Sequence, residues 1–162
     1  MDVFLKDEEI ASLIEEEKNV DVPISDFTAK FRDKRAHREY DLLIEREDQS
    51  AFKIIVRQGI ENPLDFSAIL GYIPKGKNDV FRLRRYNGKS HFHSNKIENE
   101  PPFYDFHIHT ASERYQLSGM KEEHFAEVTD RYADIYGAID CLVKDCKIVS
   151  SDPQATLFDS TS

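Results

Sequence analysis

The sequence predicts an α+β fold with an N-terminal helix, an antiparallel meander of six to seven strands, and a long C-terminal helix packed on the sheet. Two observations carry this prediction. Apolar residues recur at helical spacing near both ends of the chain, and they alternate with polar residues between those ends. A chain of 162 residues, 40% hydrophobic and 33% charged, fits one domain. We place that domain at residues 1–149 and a flexible tail at residues 150–162.

The first predicted helix covers residues 7 to about 19. Ile10, Leu13 and Ile14 lie at helical spacing and give the helix one apolar face. Asp7 is a residue type that caps helices, and the acidic residues after it suit the positive end of the helix dipole.

Period-two alternation predicts the strands that follow. Because the polar connections between the alternating runs are short, neighbouring strands are expected to pair antiparallel. The predicted strands are residues 27–31, 40–45, 52–57, 66–73, 79–86, 89–95 and 103–110.

The pair Asn87-Gly88 is the clearest local signal in this region. Asn-Gly between two strand-like runs is typical of a two-residue type I′ hairpin, in which both central residues have positive φ. Such a turn would pair Arg84 with His91 and Arg82 with His93. It would also place Phe92 on the core face of the sheet, together with other apolar residues.

Apolar residues at spacings of three and four from Phe125 to Cys146 predict one long amphipathic helix, which starts as late as Asp130. His124 is assigned to its surface. Cys141 and Cys146 have no zinc-site spacing and are interpreted as core thiols of a reducing cytosol. No apolar run approaches the roughly 18 residues of a membrane helix, so a cytoplasmic protein without a membrane partner is predicted.

The net charge of −9 is unevenly distributed. Residues 1–26 and 97–162 are strongly acidic, whereas residues 27–96 carry 15 basic and 9 acidic side chains. The negative net charge of the chain disfavours non-specific binding to nucleic acid or to anionic membranes. The basic central segment, residues 27–96, still permits a local anion site.

The predicted hairpin gathers basic and imidazole side chains on one face of the sheet. Folding alone does not require this clustering, because like charges opposite each other on a sheet destabilise it. An anion or a metal ion would compensate for it. The residues expected on this face are Arg82, Arg84, His91 and His93 from the hairpin, with Asp105, His107 and His109 from the next strand.

The leading hypothesis is a phosphate-bearing ligand, foremost RNA, with metal-independent ribonuclease chemistry as an extension. Arginine grips phosphate through paired donors, and histidine titrates near neutral pH as general acid or base. The candidate catalytic residues are His91, His93, His107 and His109, and no cofactor is predicted. The candidate ligand-binding residues are Arg82, Arg84, Asp105 and Arg114.

Two alternatives stay open. A non-catalytic module that binds a protein partner explains the same residues as an ordinary solvated surface. A metal site would use the same four histidines, since His-x-His on a strand directs both rings to one side. His91-Phe92-His93 followed by Glu98 also resembles the first half of the cupin metal motif, although Gly88 is too close to His91 and no second half is present.

Residues 103–146 resemble an uncharacterised domain family found in bacteria and prophages. The resemblance rests on Asp105-Phe106-His107-Ile108-His109, on Glu113-Arg114-Tyr115, and on residues 130–132 and 137–142. The family has no assigned activity, so the resemblance implies a bacterial or phage cytosolic protein and carries over no catalytic residues. Small proteins of that setting are often toxins, antitoxins or inhibitors of host defence.

Overall fold

The computed structural model describes residues 3–152 and confirms the α+β fold. Its main element is a seven-stranded antiparallel sheet. In spatial order the strands are β2 (Arg32–Asp33), β3 (His37–Glu45), β4 (Ala51–Gly59), β5 (Phe66–Ile73), β6 (Phe81–Asn87), β7 (His107–Thr110) and β8 (Ala126–Val128). The helices are α1 (Asp7–Glu15), α2 (Asp26–Ala29), α3 (Glu113–Leu117) and α4 (Ile135–Asp145). None of the helices within residues 3–152 has the length and apolar character needed to cross a bilayer.

One face of the sheet carries the hydrophobic core. Alternate residues of β4 to β7 point to this face and pack against the apolar sides of α1 and α4. Each fully buried side chain of this kind contributes about 1.5–3 kcal/mol. The residues that β4 to β7 contribute to the core are Phe52, Ile54, Val56, Phe66, Ala68, Leu70, Phe81, Leu83, Tyr86 and Ile108.

A second, parallel pair of strands joins the two ends of the described chain. Strand β1 (Lys18–Val20) pairs with β9 (Ile148–Ser150). The ammonium group of Lys18 lies beneath this pair, and its side chain is 1% exposed. Its Nζ donates hydrogen bonds to the carbonyl oxygens of Ile14, Glu16 and Cys146 at 2.6 to 2.9 Å.

Two predictions for the first third of the chain are wrong. The first helix ends at Glu15 and not near 19, because Lys18 already pairs with Ile148 as a strand. The predicted strand 27–31 contains a short helix, α2, in which Phe27 is fully buried and stacks on Tyr40 at 5.4 Å between ring centroids. A run this short fits both the two-residue period of a strand and the 3.6-residue period of a helix. The alternation of residues 27–31 alone could therefore not distinguish a strand from a helix.

The predicted hairpin at Asn87-Gly88 is also wrong. Neither residue has positive φ, which a type I′ turn requires at both. Gly88 is needed for a close approach: a Cβ there would lie 1.9 Å from the carbonyl oxygen of Leu64. Residues 88–106 leave the sheet, and β6 pairs with β7 instead, so that Arg85 faces His109 and Asn87 faces His107.

The C-terminal helix is shorter than predicted. Residues 126–128 form the edge strand β8, and α4 begins only after Asp134, whose carboxylate accepts a hydrogen bond from Gly137 N at 2.8 Å. The predicted tail, residues 150–162, starts at the last residue of β9, and its part from residue 153 lies outside the described residues.

Candidate metal centre

Strand β7 places two imidazoles on the face of the sheet opposite the core. His107 and His109 are two residues apart and therefore point the same way, whereas Ile108 between them points into the core. Both histidines are buried, at 6% and 3% exposure. Covering chain segments, and not solvent, therefore surround this part of the sheet.

The segment 88–106 brings a third imidazole to the same place. His93 and Phe103 bind each other through two backbone hydrogen bonds of 2.9 and 2.8 Å, which closes the segment over β7. The His93 ring stacks on His107 at 5.4 Å and meets His109 edge-on at 4.9 Å between centroids.

The three histidines form a compact set of metal-ligating atoms. One ring nitrogen from each of His93, His107 and His109 lies within 4.8 Å of the others. The rings line a cavity of about 400 Å³, and His91 and Lys121 also line it. Within residues 3–152 this is the one group of three or more histidine, cysteine or carboxylate side chains with such convergence.

Hydrogen bonds fix the tautomers of the two strand histidines. His107 Nδ1 lies 2.7 Å from the carbonyl oxygen of Asp105, and His109 Nδ1 lies 2.8 Å from that of Glu123. A carbonyl oxygen only accepts, so both Nδ1 atoms carry the proton. The lone pair of each ring therefore sits on Nε2, and the one polar contact of His107 Nε2 in the described chain is a 3.5 Å approach by the Asn87 amide.

The tautomer of His93 is fixed by Asn95, which is 2% exposed. The Asn95 side chain pairs with the backbone of Ala126: Oδ1 accepts from Ala126 N at 2.9 Å, and Nδ2 donates to Ala126 O at 2.8 Å. Because Oδ1 is thus identified as the oxygen, His93 Nε2 must donate to it across 3.1 Å. The lone pair of His93 therefore sits on Nδ1.

Burial keeps these imidazoles neutral. Desolvation is the main cause that lowers the pKa of His107 to about 4 and that of His109 to about 2. The pKa of His93 is lowered as well, again mainly by burial. Neutral imidazole is the form that binds metal ions, so the site needs no proton release from these rings at pH 7.

A buried ion pair lies beside the histidines. Arg85 projects from β6 opposite His109, and its Nη2 is 3.4 Å from Oε2 of Glu123, whose side chain is 1% exposed. Burial lowers the pKa of Arg85. Neither Arg85 Nε nor the two carboxylate oxygens of Glu123 has a hydrogen-bond partner within the described chain.

The structure brings together three of the four predicted histidines and leaves the fourth at the rim. His91 is exposed at the mouth of the cavity. Phe92, expected in the core, is 73% exposed, because the segment does not pair with β6. Asp105 contributes its backbone carbonyl to His107, while its side chain is exposed.

The predicted arginines do not converge on the histidines. The register of β5 and β6 shifts at Leu83, so Arg84 turns to the core face, with its guanidinium 5.5 Å from the Tyr86 ring. Arg82 lies beyond this bulge and outside the cavity lining. Arg114 forms an ion pair with Glu98 and does not line the histidine cavity. Glu98 is therefore engaged, and the half cupin motif is not assembled.

Sequence reasoning missed four residues around the site: Arg85, Asn95, Glu123 and His124. His124 was predicted on a helix surface, but its ring lies 4.8 Å from that of His93. Arg85 was overlooked because alternation was extended across the bulge at Leu83. The sequence did contain a sign of the bulge. Basic residues stand at 82, 84 and 85, and strict alternation cannot place all three on the same face of the sheet.

Comparisons of the chain with protein-family models, with curated proteins and with solved structures find no match.

Proposed function

We propose that this protein binds a divalent first-row transition metal ion, with Zn²⁺ as the first candidate, through His93, His107 and His109. One observation carries the proposal: one ring nitrogen from each of three imidazoles lies within 4.8 Å of the others, and every ring also donates a hydrogen bond to a fixed acceptor. Metal-ligating histidines have this arrangement, because the outer hydrogen bond fixes the tautomer and orients the ring.

The energetics of the site favour a ligand that accepts electron pairs. Within the described chain the Nε2 atom of buried His107 has a long contact of 3.5 Å with the Asn87 amide, and a buried acceptor that lacks a donor altogether costs about 1–3 kcal/mol. Imidazole nitrogen is a ligand for zinc, copper, iron and nickel. A metal ion would satisfy all three lone pairs at once.

The ligand count indicates an open site and not a closed structural one. Structural zinc has four protein ligands, whereas catalytic zinc has three and keeps a position for water or substrate. Here the three rings line a cavity of about 400 Å³. A metal ion held there would act as a Lewis acid or lower the pKa of a bound water, which supports hydrolytic chemistry as the proposed class.

Metal uptake by purified protein tests this proposal. Chelator-stripped protein is titrated with Zn²⁺ against a coloured chelator, and bound metal is counted by elemental analysis. We expect one equivalent for the wild type. His93→Ala should weaken affinity by more than the roughly 10–100-fold that follows loss of an outer hydrogen bond.

His91→Ala is the matched control. His91 is two residues from His93 in sequence but exposed at the cavity rim, so its removal should leave zinc affinity within a few fold of the wild type. Equal zinc affinity of the wild type and His93→Ala would reject the site, and so would uptake well below one equivalent by the wild type.

The other expectations stay predictions. The proposal retains a ligand at the histidines but replaces the two-arginine grip, since Arg84 faces the core. RNA, a protein partner, a cytoplasmic location and a bacterial or phage origin each await their own experiment.

A further inference from the structure

The cavity beside the histidines is lined by the guanidinium group of Arg85, whose Nε donor is unused. The Arg85 side chain is 21% exposed, and its Nε is buried without a hydrogen-bond partner in the described chain. Its ion pair with Glu123 spans 3.4 Å and does not satisfy either carboxylate oxygen with a hydrogen bond. Buried guanidinium groups are normally hydrogen-bonded, so these donors point to a missing acceptor.

The position of Arg85 makes it a partner for something bound at the histidines. It faces His109 directly across β6 and β7, and side chains so paired have Cβ atoms about 4.5–5.5 Å apart. It also lines the same cavity as all three rings. Glu123 lies against Arg85 and offsets its charge, so the guanidinium does not by itself exclude a cation from the histidines.

The remaining lining favours an anion. Lys121 adds a second cation at the cavity. The carboxylate of Asp65 also lines the cavity, and it accepts a hydrogen bond from Ser90 at 3.0 Å. A volume of about 400 Å³ suits a small molecule, since ligand pockets measure roughly 300–1,000 Å³.

We infer that Arg85 binds the oxyanion group, phosphate or carboxylate, of a small anionic ligand that also contacts the metal ion held by His93, His107 and His109. This inference rests on the proposed metal site. The planar guanidinium presents paired N–H groups that match two oxygens of such a group. Glu123 is a positioning residue that holds Arg85 against the cavity.

Cobalt-loaded protein provides the test, because the visible spectrum of Co²⁺ responds to ligands that enter its coordination sphere. The loaded wild type is titrated with inorganic phosphate and, separately, with acetate. We expect saturable spectral changes with at least one anion, and the stronger of the two identifies the ligand class. Uptake of cobalt is measured first, so failure of the metal site is seen before any anion is added.

Two variants test the role of Arg85. Arg85→Lys keeps a cation for Glu123 but loses the planar fork, and Arg85→Met with Glu123→Met removes the pair together. Both should weaken the anion by about 10- to 100-fold while cobalt is still bound. Arg82→Met is the matched control, since Arg82 lies on the same strand but outside the cavity, and should leave anion affinity unchanged.

Several results would overturn the inference. Cobalt binding without a response to either anion would reject the anion site and leave the metal site intact. Equal anion affinity in the wild type and both Arg85 variants would do the same, as would an equal loss in Arg82→Met. A wild type that takes up no cobalt would reject the metal site and the anion inference together.

Discussion

Two buried polar clusters, the Lys18 ammonium and the three-histidine site, differ in whether their polar groups have hydrogen-bond partners. The three protons of Lys18 reach three carbonyl oxygens at 2.6 to 2.9 Å, and its Nζ lies 4.6 Å above the Phe52 ring. At the histidines, each ring donates one hydrogen bond and one nitrogen of each ring lies within 4.8 Å of the others, while Arg85 Nε and both carboxylate oxygens of Glu123 have no hydrogen-bond partner in the described chain.

The difference separates a structural cluster from one that awaits a ligand. Lys18 supplies donors to the last carbonyls of α1 and α4, which have no partner inside their own helices. Burial lowers its pKa to about 8, so the amine is still protonated at pH 7. Lys18 has no proton left for a further partner, whereas the histidine site retains donors and acceptors that a bound ligand can satisfy.

The largest expected loss of stability comes from removing one partner of the buried ion pair between Arg85 and Glu123. Arg85→Met leaves Glu123, at 1% exposure, as a buried carboxylate without a counter-charge. Removing one partner of a buried pair costs about 3–5 kcal/mol, and we expect this loss in the free energy of unfolding measured with urea.

The double variant Arg85→Met with Glu123→Met sharpens this result. Two apolar side chains of similar size should recover most of the lost stability, because the pair contributes little net free energy when its desolvation is counted. A double variant as unstable as Arg85→Met would show that the pair stabilises the fold, and would weaken its assignment to ligand binding.

A smaller effect is expected at the satisfied cluster. Lys18→Met leaves the carbonyls of Ile14, Glu16 and Cys146 without their shared donor, which should lower the free energy of unfolding by about 1–3 kcal/mol. Zinc affinity should not change, because the cluster lies on the core side of the sheet.

Lys144→Met is the control for Lys18. Lys144 lies near the end of α4, its side chain is 71% exposed, and it pairs with Asp140 one turn earlier. Its loss should cost about 0.5 kcal/mol or less. If both lysine variants lost the same stability, the three buried hydrogen bonds of Lys18 would not have the role assigned to them.

The fold could largely be predicted from the sequence, and its errors have a common cause. Strand 66–73 was predicted to the residue, and strands β3, β4 and β6 were found near their bounds, because apolar alternation records which face is buried. Short segments were misassigned where long-range pairing decides the structure. Lys18–Val20 becomes a strand only because Ile148–Ser150 lies beside it.

The sequence indicated the three histidines of the candidate site, but not how the chain brings them together. His107 and His109 follow from alternation alone, whereas His93 joins them through a bridge to Phe103 that no local pattern indicates. Gly88 suggested a turn, but the structure uses it for contact with Leu64, which is distant in sequence. The same residue type serves both needs, so the sequence could not distinguish them.

Acid sensitivity tests the buried histidines directly, and within one pH unit its effect is modest. The pKa values of His107 and His109, about 4 and about 2, lie below the roughly 6.5 of an unfolded histidine. As pH falls below 6.5 the unfolded chain takes up protons first, so the stability of metal-free protein should fall toward the folded pKa values. The expected loss is about 1.4 kcal/mol per pH unit for each histidine.

The interval from pH 6.5 to 5.5 isolates this contribution, because carboxyl groups of an unfolded chain titrate near 4. Urea unfolding in the presence of a chelator measures the slope. His107→Gln removes one of the titrating rings and should reduce the mean slope over this interval by about 1 kcal/mol per pH unit, because an unfolded histidine is only partly protonated there. An unchanged slope would mean that His107 is protonated in the folded protein near pH 6, and a protonated ring has no lone pair to offer a metal ion.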